Sequence, residues 1–100
     1  MASRNPGSIT ELSAFMQKLY ENKNHVKSIK VDTSQKVIAV DLDFAANLAG
    51  HADFTVPLLG SRVMEAKDIV RKIWADADRG LPPSESAITS LWECLDHKHP

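Results

Sequence analysis

Cys94 and His97 lie three residues apart near the end of the chain, a spacing that places two side chains on one face of a helix. A thiol and an imidazole so placed can form a nucleophile–base pair or contribute two ligands to a zinc ion. A structural zinc site needs about four ligands, but the other histidines, His25, His51 and His99, are scattered along the sequence. Cys94 also borders an apolar stripe, where a free cysteine packs as a small hydrophobic side chain. We therefore expect Cys94 to be structural and predict no metal site.

Two pairs of carboxylates, Asp41 with Asp43 and Asp76 with Asp78, are the other candidates for acid–base chemistry or for binding a divalent ion. Asp41 and Asp43 alternate with apolar residues, so we place both on the solvent-facing side of a strand. No serine lies in a nucleophile elbow, and the four glycines are isolated rather than grouped in a phosphate-binding loop. The sequence thus predicts no catalytic residues and no cofactor, and we expect the chain not to be an enzyme.

Four lysines, Lys23, Lys27, Lys30 and Lys36, give the region of the first two predicted strands a local positive charge. One interpretation is a strip that contacts nucleic-acid phosphates. The other is a set of charges that protects an exposed strand edge from pairing with other sheets. We favour the second, because exposed strand edges are commonly protected by lysines in this way. The 12 Lys and Arg against 13 Asp and Glu leave a net charge of -1 and give no global attraction to nucleic acid. Weak nucleic-acid binding stays as the alternative function.

The last predicted helix carries apolar side chains one turn apart, among them Leu91, Trp92 and Leu95. In a chain of 100 residues, a small sheet covered by three helices leaves much of one sheet face or of one helical flank uncovered. We expect these three side chains to be partly exposed and to bind another protein or a second copy of the chain in a homodimer. The predicted function is that of a small non-enzymatic interaction module, such as an adaptor, an inhibitor or a regulatory subunit.

Hydrophobic periodicity predicts the helices that position these residues. Ser8 begins the first helix in a capping-box pattern. A second helix covers residues 61–78 and ends at Gly80, because glycine readily closes a helix. The third is capped by Ser84 or by Ser86.

Alternating apolar residues predict strands between the first two helices. Residues 25–31 and 36–44 are separated by a short polar segment, which favours an antiparallel hairpin. Residues 52–59 predict a third strand, placed at the sheet edge because Pro57 has no backbone donor. Residues 45–50 fit either a single helical turn or a loop.

The expected fold is α+β, a small three-stranded antiparallel sheet with an N-terminal helix and a C-terminal helical pair packed mainly on one face. Residues 1–7 are predicted to be a flexible lead-in, residues 8–97 a single domain and residues 98–100 a frayed tail. A lone cysteine and an N-terminus without the apolar core of a signal peptide favour the cytoplasm. No apolar run approaches the ~20 residues that span a bilayer, so we expect no membrane partner.

Overall fold

The structure, a computed structural model, describes residues 2–3, 6–42 and 53–96 of the chain. Its strands are β1 (Ala2–Ser3), β2 (Val26–Asp32), β3 (Val37–Leu42) and β4 (Asp53–Pro57). Its helices are α1 (Ile9–Glu21), α2 (Val63–Asp78) and α3 (Glu85–Trp92), with short 3-10 turns at Lys23–His25 and Gly60–Arg62. The predicted α+β fold is confirmed, with three helices and the three predicted antiparallel strands. The ambiguous residues 45–50 lie outside the described part of the chain.

The helix α1 begins as its sequence predicts. The Ser8 hydroxyl accepts a hydrogen bond from the Glu11 backbone N–H at 3.1 Å, which satisfies one of the free donors of the first turn. The Glu11 carboxylate accepts in return from the Gly7 N–H at 2.8 Å. In a standard capping box this second bond goes to the cap residue itself, so the reciprocal contact here lies one residue earlier.

Gly80 ends α2 as predicted, in a left-handed conformation with φ of +81°. Its N–H donates to the Ala77 carbonyl and the Leu81 N–H donates to the Asp76 carbonyl, both at 2.9 Å. This pair of bonds is the Schellman motif, which satisfies carbonyls left free at a helix end. The start of α3 is decided in favour of Ser84, whose hydroxyl accepts from the Ala87 N–H at 3.2 Å.

The hairpin between β2 and β3 is also confirmed, and Asp32 organises its turn. One carboxylate oxygen of Asp32 accepts from the Ser34 N–H, the Ser34 hydroxyl and the Gln35 N–H at 2.8–3.0 Å. Lys36 closes the turn with a positive φ of 59°, and its N–H donates to the Asp32 carbonyl at 2.8 Å. An aspartate side chain that bonds to the backbone two and three residues later is typical of tight turns.

The sheet has the order β1-β4-β3-β2. β3 is antiparallel to both of its neighbours, whereas β1 adds to β4 in parallel, with Ala2 opposite Phe54 and Ser3 opposite Thr55. β1 is not predictable from the sequence, because pairing between so few residues uses backbone groups and leaves no hydrophobic pattern.

The prediction that the third strand lies at the sheet edge is wrong, because β4 has partners on both sides. In addition to its pairing with β1, this strand and the residues after it bond to the segment that follows α3. The Asp96 N–H donates to the Pro57 carbonyl at 3.1 Å, and the Leu59 N–H donates to the Cys94 carbonyl at 2.9 Å. Pro57 lies opposite Val37 at the end of the β3–β4 ladder. The N–H that proline lacks would point away from β3 at this position, so Pro57 does not interrupt the pairing of the two strands.

The core fills the space between one face of the sheet and the three helices. It contains side chains from every helix and from the same face of β2, β3 and β4, including Leu12, Met16, Val31, Ile38, Val40, Val56, Val70, Ile73, Ile88 and Leu91. The other sheet face carries Lys30, Ala39, Asp41 and Thr55, which are exposed or half-buried. The helices therefore pack mainly on one face, as predicted, and the arrangement is the common one for a small antiparallel sheet.

Candidate interaction surface

The partner-binding residues predicted on the last helix are mostly core residues. Leu91 is 0% exposed and Leu95 is 1% exposed, so the expected exposure of these two side chains is wrong. The reason is that α3 packs between α1 and α2, while Leu95 forms an antiparallel bridge with Leu58 at the end of β4. Trp92 is half-buried and packs against the core. These three residues do not form an apolar surface for a partner.

Cys94 lies in the core with 0% of its surface exposed. Its thiol donates to the Ser90 carbonyl at 3.5 Å. Burial raises the pKa of the Cys94 thiol, and the nearby negative charge of Glu65 adds to this effect, so the thiol stays protonated near neutral pH. His97, its candidate partner, lies outside the described residues.

The other candidates for acid–base or metal chemistry are dispersed. Asp41 is half-buried on the open face of the sheet, and Asp76 forms a 3.0 Å ion pair with Arg79 at the end of α2. Asp43 and His51 fall outside the described ranges. Within those ranges, no group of three or more His, Cys, Asp or Glu side chains is placed to hold a metal ion.

A groove of about 230 Å³ lies between α2 and α3. Ile69 and Ile73 contribute apolar lining, and Ser84, Ser86 and Ser90 contribute hydroxyls. A serine nucleophile needs an adjacent base, and the lining also contains Lys72 and Asp76. Asp76 is paired with Arg79, and the Ser84 hydroxyl caps α3 and lies 3.3 Å from the Ser86 hydroxyl, so these two hydroxyls contact other groups than a base.

The four lysines of the predicted strip occupy different environments. The ammonium of Lys23 lies 4.5 Å from the centre of the Tyr20 ring, in a cation–π contact. Lys27 and Lys30 are exposed on β2. Lys36 lies beyond the far end of that strand, where its side chain runs alongside Gly60. At about 3.3 Å per residue, the strand separates the backbone of Lys27 from the turn by about 17 Å, so the four lysines do not converge on a single anion.

The outer edge of β2 combines exposed lysines with backbone groups that no strand in the described part of the chain pairs with. β2 is the last strand in the sheet order, and no strand within the described ranges pairs with its outer side. Its register with β3 is regular from Ser28 to Asp32, with an irregularity between Val26 and Ser28. The regular part is long enough to accept a further strand.

The hydrogen-bond pattern identifies which residues of β2 face outward. The Leu58 N–H donates to the Lys36 carbonyl at 2.9 Å, in register with the pairing of β3 and β4. In antiparallel ladders, alternate residues direct their backbone groups to opposite sides. Val37, Ala39 and Asp41 therefore direct theirs toward β2.

The partners of those residues follow from the register of the hairpin. Lys30 lies opposite Ala39 and Ser28 lies opposite Asp41, so these two residues of β2 bond inward to β3. The N–H and C=O groups of Ile29 and Val31 then point outward. The sequence pattern predicts that Ile29 and Val31 lie in a strand. It carries no signal for the outward direction of their backbone groups, because that direction depends on pairing between distant residues.

Comparison of the chain with protein-family models, with curated proteins and with solved structures gives no match. No helix within the described ranges is both long enough and apolar enough to cross a membrane.

Proposed function

We propose that this chain is a non-enzymatic protein-interaction module whose contact element is the outer edge of β2. The observation that carries this proposal is the outward direction of the Ile29 and Val31 backbone groups on the last strand of the sheet. Free donors and acceptors spaced two residues apart are what an extended peptide pairs with when it adds a strand to a sheet.

The distribution of apolar side chains supports a role for the sheet rather than for the helices. Within the described part of the chain, the well-exposed large apolar side chains are Ile9, Met64 and Leu81, which lie at the start of α1, at the start of α2 and after α2. They are separated along the described chain, whereas helical docking uses anchors at three- and four-residue spacing. The edge of β2 supplies a row of backbone N–H and C=O groups instead.

Amide hydrogen exchange of the isotope-labelled full chain tests this function. In dilute solution, we expect the Ile29 and Val31 amides to exchange faster than those of Ser28 and Lys30, because only the latter donate to β3. In a nuclease-treated native extract, we expect the Ile29 and Val31 amides to gain protection while Ser28 and Lys30 change little. The alternate residues of one strand thus serve as the internal control.

Three results would contradict the proposal. The first is slow exchange at Ile29 and Val31 in the isolated chain, since the edge would then already be paired. The second is an extract that changes no amide on the chain. The third is protection confined to the helices, which would place the partner elsewhere. A change that disappears when nuclease is added would instead favour the nucleic-acid alternative.

A further inference from the structure

The side chains that flank the free edge of β2 are predominantly basic. Lys27 and Lys30 are exposed on the strand, and the exposed His25 lies directly before it. The only carboxylate on the strand is that of Asp32, and one of its oxygens already accepts three hydrogen bonds within the turn. Lys27 and Lys30 outnumber Asp32, whose carboxylate already interacts with the Lys30 charge, so a strand that approaches this edge meets a net positive charge.

The two sides of the edge differ in polarity. Ile29 packs against the core on the side that the helices cover, while Lys30 and its neighbour Ala39 lie on the open face of the sheet. Residues of an added strand alternate between the same two sides. A matching strand has apolar side chains next to Ile29 and Val31, and acidic side chains next to Lys30.

Charge argues against a second copy of the chain as the occupant. If β2 pairs with its own copy in a register centred on Lys30, the two Lys30 side chains lie directly opposite each other. In the register centred on Ile29 they are diagonal neighbours at about 7–8 Å. Like charges directly opposite destabilise strand pairing. The register centred on Val31 places Lys30 opposite Asp32, but it pairs only residues 30–32 because β2 ends at Asp32. An acidic strand of another protein would be attracted in each register.

We propose that the outer edge of β2 binds an extended acidic segment of another protein by strand addition, with acidic and apolar side chains alternating along that segment. This inference rests on the proposed function and names the chemistry of its partner. Backbone groups of Ile29 and Val31 supply the hydrogen bonds, and Lys27 and Lys30 supply the charge preference. A nucleic-acid partner is less well matched, because its phosphates accept hydrogen bonds from backbone N–H groups but donate none to the C=O groups of a strand edge.

An NMR titration of the isotope-labelled full chain tests the proposal. The probe is the capped synthetic peptide Val-Glu-Val-Glu-Val, which has the predicted alternation. Two matched peptides separate the contributions: Val-Lys-Val-Lys-Val reverses the charge, and an N-methylated form of the acidic peptide keeps the charge but cannot donate backbone hydrogen bonds. We expect saturable shifts of the Ile29 and Val31 amides with the acidic peptide and affinity at least about tenfold weaker with either control.

Variants of the chain test the assigned lysines. We expect the double variant Lys27→Glu, Lys30→Glu to bind the acidic peptide about tenfold more weakly or worse. Lys72→Glu makes one such substitution on an exposed position of α2, matches the charge change of the single variant Lys30→Glu, and is expected to bind normally. The spectrum of each variant without peptide shows whether it folds, and for an unfolded double variant the single change Lys30→Glu replaces it.

Several outcomes would overturn the proposal. Equal binding of the N-methylated peptide would mean simple charge attraction, and equal binding of the lysine peptide would remove the charge preference. Concentration-dependent shifts of Ile29 and Val31 without any peptide would make a second copy the occupant, and tighter binding of a single-stranded oligonucleotide at the same amides would favour nucleic acid. If no peptide binds but a nuclease-treated extract still protects this edge, the proposed function stands and only the partner chemistry is wrong.

Discussion

The Tyr20 hydroxyl donates a 2.9 Å hydrogen bond to the Gly80 carbonyl, which is 60 residues further along the chain. Tyr20 lies in the last turn of α1, and Gly80 closes α2. This bond therefore fixes the end of one helix against the end of another, at a carbonyl that has left the helical hydrogen-bond pattern. The same Tyr20 ring receives the Lys23 ammonium.

Replacing Tyr20 by phenylalanine is expected to lower the free energy of unfolding by about 1 kcal/mol, because the hydroxyl bond is lost while the ring remains. Urea unfolding measures this as a lower midpoint with an unchanged slope. Lys23→Met removes the cation–π contact without affecting the hydroxyl, and its cost is expected to be about 0.5 kcal/mol. An unchanged midpoint for Tyr20→Phe would show that the bond to Gly80 adds no stability.

Two glycine-to-alanine changes are expected to have opposite effects. Gly80 has φ of +81° with nothing within 4 Å of an added Cβ, so Gly80→Ala costs about 1–2 kcal/mol through backbone strain alone. At Gly60 an added Cβ would contact the Lys36 side chain at 3.5 Å, an ordinary van der Waals distance, with no positive φ. Gly60→Ala is therefore expected to stabilise the chain by about 0.4–1 kcal/mol. Thermal unfolding of both variants shows whether each change raises or lowers stability. A Gly80→Ala variant more stable than the wild type would contradict the Schellman motif at the end of α2.

The helices, the hairpin and the buried face of the sheet could be predicted because each has a local signal. Ser8 and Gly80 define helix ends by side-chain capping and by backbone freedom, both of which act within a few residues. The alternation of apolar and other residues places Ile38 and Val40 on the buried face of the sheet. These features need no knowledge of distant contacts.

The candidate site could be predicted only in part, because it depends on contacts that are distant in sequence. Lys27 and Lys30 were recognised as charges along a strand edge, but the outward direction of the Ile29 backbone follows from a hydrogen bond between Lys36 and Leu58. The small size of the sheet predicts that Leu95 is partly exposed, and this prediction is wrong. Its burial depends on the bridge to Leu58, for which the sequence of α3 carries no signal.

Asp32 is expected to make the stability of the chain depend on pH. Hydrogen bonds from the Gln35 N–H and from Ser34 hold the pKa of this carboxylate below its ordinary value. Because the pKa is lowered in the folded state, the stabilisation is fully present above the ordinary value of about 3.9 and is lost as the pH falls through the folded value. The difference in unfolding midpoint between the wild type and Asp32→Asn is therefore expected to be largest at neutral pH and to shrink under acidic conditions.

The variant Ser34→Ala provides an intermediate case for this pH dependence. It removes the hydroxyl bond at 2.8 Å and keeps the two backbone donors, so the pKa of Asp32 is lowered less. The loss of stability on acidification still begins near the ordinary pKa, but it is expected to be smaller than in the wild type and to be complete at a higher pH. Identical pH profiles for the wild type and Asp32→Asn would show that the turn gains no stability from the charge.

Cys94 is expected to be a packing residue that reacts slowly. Its side chain is fully buried, and burial raises the pKa of the thiol, so little thiolate exists near neutral pH. Labelling by a thiol reagent should be much slower in the native chain than in denaturant, and Cys94→Ala should lower the free energy of unfolding by about 1 kcal/mol through lost contacts. Cys94→Val keeps the position apolar and filled, and serves as the control for packing. Equal labelling rates in native and denaturing conditions would mean that the core around α3 opens readily and that Cys94 is available for chemistry.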